Sequence, residues 1–600
     1  MKPPAPILDV RDLRVTFSGR GGRINALRGM SLQIQPGEVV GLVGESGSGK
    51  SVLGLTALGL LAAASDPQVT GSVQLDGFEM VGASPEGARQ RRGTAIGAVF
   101  QDPMGSLNPV MKIGRQVAES AGGASDEEVA AMLEATGIRG PAAVARCFPH
   151  ELSGGMRQRV MIAMALARHP KLIIADEPTT ALDVTVQAKV LDLLATTARE
   201  RGVALLLVTH DLGVAARICD RIAVAYAGRI VEQGTTEEIL DGPRHPYALG
   251  LLASRPRLDG AVRGGLLPTL PGSAPDPTSS VVGCAFASRC PAADGACLTP
   301  VPEAHEDGRL VACHHPGELT TWPDRAAQVI KAAVAESAAD GLAARKAGDP
   351  RTPAVVATGL VREFDGRRSG MLGRRGPALR AVGGIDLTVP AGGSVAIVGE
   401  SGSGKSTLLR MIVGLLEPTE GTVRLAPGPS PQMVFQDAGA SLTPWMSVGE
   451  HLAERLAAVG MPKREHAAAI DRALHAVGLP VDAAARRPAQ LSGGQRQRAA
   501  IARAIVVPPP LIACDEPVSA LDVSLAAQVL NLLCDLRQQL GLALLFVTHD
   551  LAAARAVADE VVVMQGGLVI ERAPTDQLFT APSHDYTREL IAAVPEAVAA

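Results

Sequence analysis

The octapeptide Gly-Glu-Ser-Gly-Ser-Gly-Lys-Ser occurs twice in this 600-residue chain, at Gly44 to Ser51 and, letter for letter, at Gly399 to Ser406. The first copy follows the apolar run Val39 to Val43 and opens a helical stretch. A glycine-rich turn between a buried strand and a helix is an α/β construction. The duplication continues downstream. Leu-Ser-Gly-Gly begins at Leu152 and Leu491, Ala-Asp-Glu-Pro at Ala175 is echoed by Cys-Asp-Glu-Pro at Cys514, and Val-Thr-His-Asp recurs at Val208 and Val547. Lys50 and Lys405 are 355 residues apart, Gln101 and Gln436 are 335 apart, and Ser153/Ser492, Asp176/Asp515 and His210/His549 are each 339 apart. A repeat this long means one domain-sized module used twice, not a solenoid. The drop from 355 to 335 makes the second copy 20 residues shorter between its loop and its glutamine, where Arg424 to Pro431 replaces the charged stretch around Glu86 to Arg92.

Length alone gives a prior of about four structural units. With 57 Lys+Arg against 61 Asp+Glu, the net charge of −4 supplies no global basic field for nucleic acid or an anionic membrane. Mean hydropathy is +0.18, yet the longest apolar stretches, such as Val52 to Ala64, fall short of the roughly 20 residues a spanning helix needs. The amino terminus lacks the apolar core of a secretory signal, so a cytosolic protein without disulfides is expected.

In each loop the glycines let consecutive backbone N–H groups curl around a phosphate, the lysine neutralises its outer oxygens, and the following hydroxyl reaches Mg²⁺. The phosphate-binding set is therefore Gly44, Ser46, Gly47, Gly49, Lys50, Ser51 and Val52, repeated as Gly399, Ser401, Gly402, Gly404, Lys405, Ser406 and Thr407. The strands Leu172 to Ala175 and Leu511 to Cys514 end in Asp176-Glu177 and Asp515-Glu516. At the carboxyl end of an α/β strand the first carboxylate can hold Mg²⁺ and the second can orient an attacking water; a helix-capping acidic pair is the plainer alternative. Gln101 and Gln436 could sense the γ-phosphate and the metal, and His210 and His549 could touch the same phosphate, although a lone histidine after a strand is often structural. Leu152 and Leu491 lead into helices whose first N–H groups, at Ser153, Gly154, Gly155 and Ser492, Gly493, Gly494, could hold a second anion. Serine as a plain helix cap would explain part of that pattern.

This ordered set, with Ala181-Leu182-Asp183 and Ala520-Leu521-Asp522 after the acidic pairs, resembles the ATP-binding cassette (ABC) ATPases. The resemblance implies two tandem P-loop NTPase domains, each with a RecA-like core and a helical subdomain, pairing head to tail as an intramolecular pseudo-dimer. The first ATP would then lie among Lys50, Ser51, Gln101, Asp176, Glu177, His210 and the opposite Ser492, Gly493 and Gly494; the second among Lys405, Ser406, Gln436, Asp515, Glu516, His549 and Ser153, Gly154 and Gly155. Glu177, Glu516, His210 and His549 would be catalytic. Mg²⁺ would be held through Ser51, Gln101 and Asp176, and through Ser406, Gln436 and Asp515. Phe17 and Phe364 match the family's adenine-stacking aromatic. Within the family, Phe100 to Pro109, His150 to Gly155 and the tails His245-Pro-Tyr247 and His584-Asp-Tyr586 are similar to the importer ATPases for oligopeptides, dipeptides and nickel. Ala438 departs from that pattern by replacing the proline after Gln436-Asp437.

Between the copies, Cys284, Cys290, Cys297 and Cys313 crowd into one window. On spacing alone, unligated thiols, a zinc site and an iron–sulfur centre all stay open. Gly-Cys-x-Phe-x-x-Arg-Cys at Gly283 to Cys290 fits the importer subfamily, and that resemblance implies a structural 4Fe-4S cluster on the four thiols, with zinc as the alternative. The expected organisation is a first cassette over 1–256, a Cys-rich extension over 257–320, a linker over 321–350 and a second cassette over 351–600. The implied function is the ATP-hydrolysing subunit of a di- or oligopeptide importer. It would sit peripherally on the cytoplasmic face of the cell membrane, with two transmembrane permease subunits and an extracytoplasmic substrate-binding protein as partners and no nucleic acid. The rival readings are a twin-cassette ATPase acting on ribosomes, whose iron–sulfur centres would precede the first cassette, and a DNA-repair cassette, which would need zinc insertions and a basic surface.

Overall fold

The computed structural model describes residues 5–19, 22–179, 182–258, 267–306, 308–322, 352–365, 368–369, 374–375, 378–519 and 521–594. Nearly all of the expected linker, together with Ala181 and Ala520, lies outside them.

Continuous runs of β-branched and leucine residues cannot alternate between core and solvent, so they become strands covered on both faces. In the first half, Ile96–Val99, Leu172–Asp176, Ala204–Thr209, Val39–Val43 and Arg221–Tyr226 lie side by side in parallel. The second half repeats this with Gln432–Val434, Leu511–Asp515, Ala543–Val547, Ser394–Val398 and Glu560–Gln565. Each parallel block ends in an antiparallel hairpin, Arg221–Tyr226 with Arg229–Thr235 and Glu560–Gln565 with Leu568–Pro574. The turn residues Ala227 (φ 46°), Gly228 (82°), Gly566 (55°) and Gly567 (83°) all have positive φ, as a two-residue turn matching the strand twist requires. A separate antiparallel sheet, Leu8–Gly19, Gly22–Ile34 and Gln68–Leu75 in the first half and Val355–Phe364, Leu379–Val389 and Glu420–Leu425 in the second, packs beside each block.

The helices Gly154–Leu166 and Gly493–Ile505 anchor the helical lobes; Ser153 and Ser492 cap them by accepting from the N–H of Met156 and Gln495. The helix Pro85–Thr94 has no counterpart between Leu425 and Gln432, which accounts for the shortened second copy. With Ala438 in place of the proline, Asp437 still caps a short helix, but it accepts from the N–H of Ala440, three residues on, where Asp102 accepts from that of Met104, two residues on. Among the described residues no helix is long and apolar enough to cross a membrane.

The Cys-rich extension is built onto the first half. Its hairpin Glu303–Glu306/Arg309–Ala312 extends the first parallel block into an eight-stranded sheet, with Glu232 pairing Val311. The residues just before it cross to the second half. The Leu267 N–H donates to Asn531 Oδ1 (2.9 Å), Asn531 Nδ2 returns a bond to the Leu267 carbonyl (2.8 Å), and Gln528 Nε2 donates to the Leu270 carbonyl (2.8 Å), all buried. Leu267 and Leu258 sit in apolar clusters of the second half. A buried backbone pair loses about 1–3 kcal/mol per group when its partner is removed. Asn531→Ala is therefore expected to speed amide hydrogen exchange at Leu267; unchanged exchange there would show that the strap is held by other contacts.

Candidate functional site

The two phosphate loops are pre-shaped by glycines in left-handed conformations. Gly49 has φ 96° and Gly404 has φ 98°, and a Cβ on either would run into the carbonyl of Ala26 or Ala381. Within each loop the lysine folds inward. Lys50 Nζ donates to the carbonyls of Gly44 (2.7 Å) and Glu45 (2.9 Å), and Lys405 Nζ to those of Gly399 and Glu400 (both 2.7 Å). Both lysines are buried, which lowers their pKa, and the neighbouring carboxylates, first Glu177 and Asp522 for Lys50 and Glu516 and Asp183 for Lys405, resist that shift.

The strand ends deliver the acidic pairs to the loops. Ser51 Oγ donates to Asp176 Oδ1 at 3.2 Å and Ser406 Oγ to Asp515 Oδ1 at 2.8 Å. Burial raises the pKa of both aspartates, and the serine hydroxyls offset part of it. Glu177 and Glu516 sit at φ 46° and 48°, strained for a non-glycine residue. Their N–H groups donate to the carbonyls of Val208 and Val547, so the neighbouring strand holds the bend. Each glutamate collects two further side chains. Gln101 Nε2 donates to Glu177 Oε2 (2.8 Å) and His210 Nδ1 lies 3.1 Å from Oε1; Gln436 Nε2 donates to Glu516 Oε2 (3.1 Å) and His549 Nδ1 lies 3.1 Å from the same carboxylate. Burial disfavours the imidazolium, but the glutamate's hydrogen bond and charge outweigh it, so both histidines titrate above their ordinary pH. His549 and Lys405 in turn hold Glu516 below the usual range against its own burial.

The halves meet at these loops. The Ser46 N–H donates to Asp522 Oδ2 (3.4 Å) and the Ser401 N–H to Asp183 Oδ2 (3.2 Å), while Thr185 Oγ1 donates to Glu400 Oε1 (3.1 Å). A cavity of about 290 Å³ runs along the first loop, lined by Gly47, Lys50, Ser51, Gln101, Glu177 and His210, with Ser519, Leu521 and Asp522 from the other half. The expected Ser492, Gly493 and Gly494 are not among its walls. Of the expected aromatics, Phe17 packs against the first core and Phe364 is more exposed, with the Arg362 guanidinium over its ring at 4.9 Å.

Sequence reasoning missed several groups acting on the loops. Each tail tyrosine accepts a loop N–H: Glu45 donates to Tyr247 Oη (2.8 Å) and Glu400 to Tyr586 Oη (3.0 Å). The repeated His-x-Tyr tails signalled the pair but not its target. The segment before each tail is fixed by a glutamate. Glu232 accepts from the N–H of Arg244 and His245 and from Arg309; Glu571, held at about 2 despite burial by its bonds from Ser583 and His584, accepts from the N–H of both and from the Ser583 hydroxyl.

The four clustered cysteines are all free thiols and lie near enough to one another that charge on one raises the pKa of others. Cys297 and Cys313 are buried. Burial pushes Cys313 up to about 11, partly offset by the His315 N–H, which donates to its sulfur at 3.4 Å, and the Ala287 N–H donates to the Cys284 carbonyl. No three of these sulfurs fall within 4.8 Å of one another; the one such group of potential ligands among the described residues is Asp294, Cys297 and His315. A single tetrahedral zinc with bonds of about 2.3 Å needs its sulfurs closer than that.

Comparison with known proteins gives the family. The ABC transporter family profile matches residues 27–180 and 382–519, and the oligopeptide/dipeptide transporter C-terminal region matches 231–297 and 570–600. The oligopeptide transport ATP-binding protein OppD of Mycobacterium tuberculosis is 43% identical over 620 residues, covering 99% of both chains. The glutathione import ATP-binding protein GsiA of Escherichia coli is 38% identical, covering 98% of this chain and 90% of its own. The solved dimeric ABC transporter cassette MJ0796 is 30% identical over 38% of this chain and 98% of its own, with a TM-score of 0.35. With both cassettes, both tails and a full-length match in place, the chain belongs to the ABC transporter ATPases, in the oligopeptide/dipeptide branch, with two cassettes joined in one polypeptide.

Proposed function

We propose that this protein is the ATP-hydrolysing, energy-coupling subunit of a di- or oligopeptide importer. The observation that carries the reading is the duplicated Gln–Glu–His constellation, set at the carboxyl ends of parallel strands beside a phosphate loop, in a chain 43% identical end to end to an oligopeptide transport ATPase. The matched relatives are transport proteins by name, which favours import over action on ribosomes. Such a subunit draws on two transmembrane permease subunits and an extracytoplasmic binding protein, and works peripherally at the cytoplasmic face of the membrane.

In the first site the N–H groups from Ser46 to Ser51 and the Lys50 ammonium bind the phosphates of ATP, and Phe17 stacks on the base. Ser51, Asp176 and Gln101 would hold Mg²⁺, which when bound offsets charge between the β- and γ-phosphates. Glu177 accepts a hydrogen bond from the attacking water and orients it. His210 uses Nδ1 on Glu177, so Nε2 is the nitrogen left for a γ-phosphate oxygen. In the second site Lys405, Ser406, Asp515, Gln436, Glu516, His549 and Phe364 take these roles. The signature residues Ser492 to Gly494 and Ser153 to Gly155 close on the opposite nucleotide, and Asp183 and Asp522, already touching the opposite loops, guide that approach. Cys284, Cys290, Cys297 and Cys313 would ligate a 4Fe-4S cluster, which would staple the extension.

Glu177→Gln and Glu516→Gln are each expected to lower ATP turnover at least about tenfold, and the double variant by about 10²–10³; an unchanged rate for either single variant would mark that site as non-hydrolytic. Purified protein is expected to carry iron and visible absorbance that are lost with the four thiols, whereas stoichiometric zinc without iron would overturn the cluster. Reconstituted with its permease, the complex is expected to raise ATP hydrolysis when a peptide-loaded binding protein is added. Failure to associate with any membrane protein would overturn the importer reading.

A further inference from the structure

We propose that Arg289, in the Cys-rich extension, is a positioning residue that holds the first phosphate loop in its nucleotide-ready shape and so makes the two ATP sites unequal. The inference rests on the nucleotide sites assigned above. Arg289 stands one residue before Cys290, yet its guanidinium reaches the second residue of the first loop. Nη1 donates to Glu45 Oε2 at 2.6 Å and Nη2 to Glu45 Oε1 at 2.9 Å, with both side chains buried. Two of the three remaining donors are also placed: Nε on the Pro271 carbonyl at 2.7 Å and Nη1 on Tyr226 Oη at 3.2 Å. The guanidinium lies 5.7 Å from the Tyr226 ring and 5.8 Å from that of Phe286, within a cluster that also contains Tyr247 and Trp322. A two-pronged arginine–carboxylate pair fixes orientation as well as charge.

Glu45 is where this pair acts on the nucleotide site. Its carboxylate is held by Arg289, its N–H by Tyr247 and its carbonyl by Lys50. Any shift of Arg289 is therefore transmitted through one residue to the lysine that binds phosphate. Among the described residues the second loop has no such arginine. Glu400 keeps the tyrosine and lysine bonds, but its carboxylate accepts from Thr185 of the opposite cassette. The counterpart of Tyr226 at the 339-residue offset is Gln565, which is exposed. The Glu45 carboxylate is clamped from within its own half by the thiol segment, whereas the Glu400 carboxylate is held across the interface between the halves.

The test is equilibrium binding of a non-hydrolysable ATP analogue to the full chain, with Lys405→Ala reporting the first site and Lys50→Ala the second. Adding Arg289→Gln is expected to weaken first-site binding about tenfold, the scale of a lost charged hydrogen-bond pair, and to change the second site less than about twofold. Arg289→Lys, which keeps the charge without the fork, is expected to recover only part of the loss. Because Arg289→Gln leaves a buried carboxylate unpaired, the Glu45→Gln/Arg289→Gln chain removes both charges and guards against simple unfolding. This double variant is expected to melt close to its parent and still bind weakly at the first site. Restored binding in the double variant, equal weakening at both sites, or unchanged first-site affinity would overturn the proposal. Loss of analogue binding in both lysine variants before Arg289 is touched would overturn the site assignment itself, and the proposal with it.

Discussion

A lysine ammonium buried under a glycine-rich loop is tolerated only where negative groups replace its water, because desolvation of an isolated charge costs several kcal/mol. Lys50 and Lys405 meet that condition from three directions: carbonyls of their own loops, carboxylates at the ends of the adjacent strands, and Asp522 or Asp183 from the opposite half. This requirement organises much of the rest. The parallel strands must end where Asp176 and Asp515 can meet Ser51 and Ser406. Glu177 and Glu516 must bend into a strained backbone region to turn their carboxylates toward glutamine and histidine. The two halves must face each other loop to aspartate.

The duplicated halves nevertheless differ where the chain between them intrudes. The extension after the first cassette adds two strands to the first sheet, packs an aromatic cluster against the first loop and runs a buried strap into the helix Val523–Leu540 of the second half. In a protein with only 2% aromatic residues, gathering Tyr226, Tyr247, Phe286 and Trp322 at one joint concentrates its largest apolar side chains there. The 20-residue contraction of the second copy removes the helix Pro85–Thr94 and leaves the contacts of Gln436 and His549 with Glu516 in place.

Much of the site could be read before any coordinates. Phosphate-loop chemistry depends on residue type at fixed local spacing, and so do the acidic strand ends, so Lys50, Ser51, Asp176, Glu177 and their counterparts fall where the pattern places them. Gln101, Gln436, His210 and His549 likewise follow strands whose order the fold class dictates, and they stand against Glu177 and Glu516. The signature serines cap their helices as the pattern implies, while the cavity at the first loop is walled by Ser519, Leu521 and Asp522 instead. Which surface of one half meets the other depends on long-range packing that no local spacing encodes.

By itself, then, the sequence determined the duplication and the α/β class and named the residues that each half-site gathers, because these follow from turns, periodicity and side-chain type within short windows. Only the tertiary structure decided that Arg289 reaches Glu45 across 244 positions, that Tyr247 and Tyr586 hold the loops, and that Asn531 grips the strap at Leu267. Those contacts satisfy buried charges and backbone groups, and a buried polar group is matched by whichever partner the fold brings within about 3 Å of it, however distant in the chain.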